Sequence, residues 1–290
     1  MLDRVRHNPL LGEVRRRVRG KLVRAVDEVV RRYHDDQADR IERLRGEVAE
    51  LRKQNDDLRH QVDRAVDTTI QSEIRARRDL VFAGEQEAAL QSARFVRAHM
   101  PTAPHFGHPH ATLEHALGLV EADGMALEFG VYTGSTLKLI ATARGGRDVY
   151  GFDSFQGLPE DWRNGFPAGT FDVDGLPEVD GAELVVGWFD DTLPGFLGSH
   201  PGPVAFLHVD CDLYSSTRTV LELVGPRLVP GSVVVFDEYF NFPGWQDHEH
   251  KAWTEYVART GIAFDYVGYT YDHEQVIVKV TGAPHPVREG

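Results

Sequence analysis

The chain has 290 residues, a formal net charge of −13 and a single cysteine. Residues 1–100 carry 22 Lys+Arg against 18 Asp+Glu (+4) and the other 190 carry 10 against 27 (−17), so the acidic part argues against a nucleic-acid substrate, because phosphate contacts need a basic face. Lone Cys211 excludes an intramolecular disulfide, and no run approaches the ~20 apolar residues that span a bilayer. The N-terminus lacks the apolar core of a signal peptide, so the expected location is the cytoplasm.

The first 32 residues are locally basic, with Arg15, Arg16, Arg17, Arg19, Lys21, Arg24, Arg31 and Arg32. They read as a solvated helix face, with peripheral contact to a membrane or polyanion as the alternative. Residues 13–98 contain no proline and only Gly20, Gly46 and Gly84, a long-helix composition. A helical extension is expected over 1–100, with a coiled coil around 41–66. Ile41, Val48, Asn55 and Val62 fall at heptad position a; Leu44, Leu51, Leu58 and Ala65 fall at d. Asn55 at a favours a parallel homodimer, where two amides can bond each other. Glu47 and Arg52 make a favourable g–e′ pair, Arg40 and Arg45 an unfavourable one. A solitary helix packed on its own domain is the alternative. Upstream, Val23, Val26, Val30 and Tyr33 follow another register, which predicts a stutter near residue 37.

Pro101–His110 breaks the helix. Residues 101–123 read as a linker followed by a helix from about 111, and His105, His108 and His110 as exposed linker residues. From Gly124 to residue 282, strands alternate with helices, and 283–290 form a tail. Strands are expected at 125–130, 148–153, 182–187, 203–209, 232–237, 264–268 and 275–280. Helices are expected near 134–144, 191–197, 215–227 and 247–259. Alternation of this kind predicts an α/β fold with a mostly parallel sheet and helices on both faces. Only the turn Tyr271–Glu274 separates the last two strands, so they should pair antiparallel.

The chemistry collects at strand ends. Phe206–Val209 leads into Asp210-Cys-Asp212, and Val233–Phe236 into Asp237-Glu238. Acids converging at the carboxyl end of a sheet repel one another unless a cation lies between them. Cys211 between these acids reads as a packing residue, since neighbouring carboxylates disfavour a thiolate. The first strand ends in Leu127-Glu128-Phe-Gly130-Val-Tyr132-Thr-Gly134-Ser135, a glycine turn that opens a helix whose first amides can face an anionic group. It is not the dinucleotide fingerprint, which needs G-x-G-x-x-G. Asp153, 19 residues beyond Gly134, ends the second strand, where an acid can hold a ribose diol.

In combination these phrases resemble the macrocin O-methyltransferase family, metal-dependent class I S-adenosylmethionine-dependent sugar O-methyltransferases. The resemblance also rests on Gly151-Phe-Asp-Ser-Phe-Gln-Gly-Leu-Pro159, Gly187-Trp-Phe-Asp-Asp-Thr-Leu-Pro194 and Leu207-His-Val-Asp-Cys-Asp-Leu-Tyr-Ser-Ser-Thr217. It covers about residues 124–280 and not the helical extension. It implies a Rossmann-like sheet with the last strand antiparallel. It implies that Glu128, Gly130, Gly134 and Ser135, with Tyr132 in the same loop, line the amino-acid end of S-adenosylmethionine. Asp153 and Ser154 would hold the ribose, and Gly187, Trp188 and Phe189 would flank the adenine. Asp210, Asp237 and Glu238 would bind a divalent cation, Mg2+ by the hardness of its ligands. The family usually shows two aspartates at the last pair, so Asp212 competes with Glu238 for the third place.

Methyl transfer from a sulfonium needs an aligned acceptor oxygen and a proton acceptor. Asp210 is the first candidate base and His208 the second. His208 also reads as a core histidine bonded to backbone. The loops 155–180 and 239–250 carry Trp162, Arg163, Phe166, Phe171, Phe242 and Trp245, which suit a saccharide or other small-molecule acceptor. The function expected is O-methylation of a sugar or glycosylated metabolite. A catechol-like small-molecule acceptor, or a non-catalytic coiled-coil assembly protein, are the alternatives.

Overall fold

A computed structural model describes residues 9–285. The chain divides at Asp79 into two compact units. The first contains a single helix, α1 (Pro9–Arg78), whose 70 residues extend about 105 Å at 1.5 Å each. Its heptad residues are open: Ile41, Leu44, Val48, Leu51, Leu58 and Val62 are all exposed. The polar face is laced by i,i+4 and i,i+3 pairs such as Glu28–Arg32 at 2.6 Å and Glu42–Arg45 at 3.4 Å. Such pairs each add only a few tenths of a kcal/mol, so they support a lone helix weakly.

The second unit begins with α2 (Leu80–His99). Asp79 caps it, Oδ1 accepting from the amides of Val81 and Phe82 at 3.0 and 3.1 Å. Ala88, Phe95 and Val96 turn inward and join the main core. The stretch read as a linker supplies an edge strand, β1 (His105–Phe106), which pairs parallel with β7 (Ala263–Thr270). His108 then caps α3 (Pro109–Gly118), its Nδ1 accepting from the amide of His110. This short pairing was missed because two residues carry no alternation to read.

Seven further elements alternate as expected: β2 (Met125–Phe129), α4 (Ser135–Arg144), β3 (Val149–Asp153), β4 (Glu183–Val186), α5 (Phe189–Ser199), β5 (Val204–Val209) and α6 (Tyr214–Val224). β6 (Leu228–Phe236), α7 (Glu249–Thr260), β7 and β8 (Val276–Gly282) complete the fold. The sheet order is β1-β7-β8-β6-β5-β2-β3-β4. β2, β3, β4, β5 and β6 run parallel, whereas β8 lies antiparallel between β6 and β7. This is the Rossmann-like sheet the resemblance implied, extended by one edge strand. Among the described residues no helix is long and apolar enough to cross a membrane.

The central strands are buried on both faces, which is why they read as continuous apolar runs. Alternate residues split between two cores. Leu127, Phe129, Leu207 and Val209 pack with Leu193, Val220, Leu221 and Trp253 from α5, α6 and α7. Ala126, Phe206, Val233 and Val235 pack with Leu113 of α3 and Leu137 and Ile140 of α4. The sheet order reverses between β2 and β5, and a switch point of this kind opens a crevice beyond the strand ends.

Candidate active site

The crevice is a cavity of about 380 Å³ beyond the carboxyl ends of β2, β3, β4, β5 and β6. Gly130, Asp153, Trp188, Asp210 and Glu238 reach it from those five strands in turn. Gly130 is required by the chain itself. Its φ is +91°, and a Cβ there would lie 1.7 Å from the carbonyl oxygen of Asp210. The glycine thus lets the β2 loop touch the β5 loop, bringing the proposed donor side beside the acids. Tyr132, Phe171 and Asp212 also line the cavity with positive φ, at 48°, 71° and 61°. Non-glycine residues held in this region cluster at functional sites.

Trp188 and Phe189 bring two aromatic rings to the cavity lining, and Phe189 packs edge-on against Phe129 at 5.2 Å. Asp153 lines the same cavity. Its Oδ2 accepts from the amides of Val131 and Tyr132 at 2.8 and 2.9 Å, and its Oδ1 from Phe155 at 2.7 Å. Its carboxylate therefore fixes the glycine loop first; a carboxylate has about four acceptor sites, so about one is left. Ser154 lines the cavity beside it, its Oγ accepting from the amide of Gln156. Gly187 donates its amide to the Asp153 carbonyl and so seats the Trp188 turn. Gly134 and Ser135 begin α4 outside the cavity lining, and Pro177 and Val179 lie over Gly134.

Glu128 does not reach the cavity. It is fully buried, and its Oε1 lies 2.9 Å from His208 Nδ1. His208 Nε2 lies 3.6 Å from Asp237 Oδ1. The other Asp237 oxygen accepts from Gln275 Nε2 at 3.0 Å. Burial opposes a charge on His208, but hydrogen bonds to Asp237 and Glu128 outweigh it and raise its pKa well above the usual value. Burial also pushes Asp237 upward, yet the hydrogen bond and charge of His208 win and hold it low. Burial and then the charge of Asp237 push Asp210 well above the carboxylate range. Burial, followed by the opposing pull of Arg163, leaves Asp212 at about 7.

His208, Asp210 and Asp237 offer ligand atoms within 4.8 Å of one another, the one such group among the described residues. Glu238 stands outside that group but lines the cavity, and its buried Oε2 has no partner. Behind it, Glu249 is fully buried; Oε2 accepts from the Glu238 amide at 2.9 Å, and Oε1 has no partner. Orphaned buried oxygens beside acids whose pKa values burial and crowding push up mark a place where positive charge is wanted. The donor set, mainly carboxylates, fits a divalent cation of the Mg2+ kind. Asp210 and Asp237 would hold it, with Glu238 or Asp212 beside them.

Glu249, Gln275 and Glu274 were not among the expected site residues. Each lies in an ordinary polar stretch and reaches the site only because α7 and the β7–β8 turn fold over it. The short segment between Asp237 and α7 was the available clue for Glu249.

The crevice at the sheet's reversal thus gathers the rings Trp188 and Phe189, the acid Asp153 and the carboxylate cluster around one cavity. Residues 127–239 match the family described as a methyltransferase domain. Over those residues the sheet domain is similar to a methyltransferase domain. The chain is similar to a Streptomyces olivaceus protein named 8-demethyl-8-(2,3-dimethoxy-alpha-L-rhamnosyl)-tetracenomycin-C 4'-O-methyltransferase, 33% identical over 156 residues. It is also similar to demethyldecarbamoylnovobiocin O-methyltransferase of Streptomyces niveus, 30% identical over 180 residues. These matches cover 44% and 53% of this chain, and 58% and 64% of the relatives, under two thirds of either. The solved O-methyltransferase NovP is 27% identical, with a TM-score of 0.46, over 59% of this chain and 79% of its own.

Proposed function

We propose that the protein transfers a methyl group from S-adenosylmethionine to a hydroxyl of a sugar or glycosylated metabolite, with a divalent cation, Mg2+ by ligand type, at the acids. The observation that carries the reading is the junction of Gly130 with Asp210, which sets a nucleoside-sized wall against a carboxylate cluster. The name of the Streptomyces olivaceus relative, which methylates a rhamnosyl compound, supports a glycosylated acceptor. When bound, the donor supplies an electrophilic methyl and the cation stabilises negative charge on the acceptor oxygen.

The residues would divide the work. Trp188 and Phe189 stack on the adenine, and Asp153 accepts from the ribose with the acceptor capacity its backbone bonds leave. Asp210 is the base: it lines the cavity at the end of β5, and ionised beside the cation it can take the proton of the acceptor hydroxyl. His208, almost fully buried and held between Glu128 and Asp237, is a positioning residue that fixes Asp237. Trp162 and Phe171 close the acceptor side and exclude water.

The test is mass spectrometry of products from a rhamnoside and a catechol offered with the donor. Methylation of the rhamnoside is expected. Methylation of the catechol alone would replace the glycoside reading.

We also infer that α1 pairs in parallel with a second copy of the chain. Its a and d side chains are exposed over residues 41–62, and Asn55 within that stripe is satisfied by its own counterpart. Glu42 bonds Arg45 within one helix, which eases the Arg40–Arg45 repulsion between copies.

A further inference from the structure

A second cavity, of about 520 Å³, adjoins the first and shares Arg163 and Phe166 as its wall. It is formed by α2, the loop after β3 and the loop after β6. The wall is firmly built. Arg163 lies 3.9 Å from the Trp162 ring and 4.6 Å from the Phe242 ring, and its Nη1 donates to both oxygens of Glu274 at 3.0 and 3.1 Å. The far side is tied down as well. The amide of Asn241 donates to Ser92 Oγ on α2 at 2.9 Å, and its side chain donates to the His273 carbonyl at 3.1 Å. Asn241 itself has a φ of 69°.

Ligand pockets span roughly 300–1,000 Å³, so the first cavity is near the small end once a nucleoside occupies it. An acceptor larger than one sugar must project out of it, and the second cavity lies next to it across Arg163 and Phe166, which line both. The lining there is mixed: Phe166, Phe242 and Pro243 are apolar, Gln86, Asn164 and Asn241 carry amides, and of its charged residues Arg163 and Glu274 pair with each other while Glu85 adds a carboxylate at the α2 edge. Flat carbon faces edged by amide donors and acceptors suit an oxygen-bearing aromatic ring system. Resting on the glycoside reading above, we propose that the second cavity holds the aromatic aglycone of the acceptor while its sugar enters the first. The wall residues Arg163 and Phe166 then face the glycosidic junction and set which aglycones are accepted.

The test uses p-nitrophenyl and methyl α-L-rhamnoside as acceptors, with the full chain. Wild-type KM should be at least tenfold lower for the aryl glycoside. Ala89→Trp and Gln86→Trp, at exposed helix positions lining the cavity, should each collapse that ratio. Binding of S-adenosylhomocysteine checks that the variants are folded. In the wild type, amide exchange over residues 81–89 should slow with the aryl glycoside and not with the methyl glycoside. A ratio near one in the wild type, a ratio kept in both folded variants, or exchange that ignores the aryl group would overturn the aglycone site alone. If S-adenosylhomocysteine binds but neither rhamnoside is bound or methylated, the glycoside reading fails and the aglycone site with it.

Discussion

Glu128 and His208 are register partners on the adjacent parallel strands β2 and β5, and Oε1 of the first lies 2.9 Å from Nδ1 of the second. The strand pairing alone puts them side by side on the α4 face of the sheet. From there His208 reaches Asp237 at the end of the next strand. A buried chain of carboxylate, imidazole and carboxylate thus runs across three strands beneath the site. In Glu128→Gln the carboxylate partner is gone, and the His208 pKa should fall toward its ordinary value. NMR titration of the imidazole in chelated protein reads this directly; an unmoved His208 would show that Glu128 does not set its charge.

Asp210→Asn should lower methyl transfer by about 10²–10⁴-fold, the usual contribution of a positioned base. Affinity for S-adenosylhomocysteine should stay at the wild-type level, because Trp188, Phe189 and Asp153 are untouched. Turnover like the wild type would remove Asp210 from the mechanism.

Cation binding should release protons. Burial and neighbouring charge hold Asp210 and Glu238 well above the carboxylate range, so each must lose its proton to become a ligand. Affinity for Mg2+ should therefore rise with pH. Calorimetry in two buffers of different ionisation enthalpy measures the release; the same heat in both buffers would contradict it.

Much of this was legible in the sequence, for reasons that can be named. The buried strands announced themselves because β2 and β5 are covered on both faces, and their acids fell at the strand ends where the sheet opens. The glycine loop was legible as a tight turn, but not its purpose at Gly130, since the contact with Asp210 joins segments 80 residues apart. Glu128 was read as facing the donor; its strand neighbour His208 claims it instead. The Asp153 carboxylate was read as a ribose acceptor, whereas three loop amides occupy most of it. Glu249 and Gln275 were silent because only tertiary packing brings them in.

Asp212 gives a stability signature in the chelated protein. Its folded pKa of about 7 lies above the unfolded value, 3.8, so its ionisation costs stability. The cost is absent below about pH 4, grows from there to pH 7 and is constant above. Asp212→Asn removes it, so the variant should melt higher than the wild type at pH 8, and the gain should shrink toward pH 5. A gain independent of pH would mean that Asp212 is not ionising against its surroundings.

Leu51→Cys tests the pairing of α1. In a parallel dimer two d positions of the same number face each other, so oxidation should yield a cross-linked dimer in high yield. The native Cys211 is buried and does not compete. Only monomer under oxidation, with monomeric mass by light scattering, would rule the parallel pair out.

In the proposed function the Trp188–Phe189 wall and the acid cluster form one metal-assisted methyl-transfer centre. The most direct measurement is transfer of labelled methyl from S-adenosylmethionine to a rhamnoside, before and after EDTA, and after Mg2+ is returned. Label should enter the glycoside, stop with the chelator and resume with Mg2+. Transfer unchanged by chelation, or donor binding without label in any glycoside, would contradict the account.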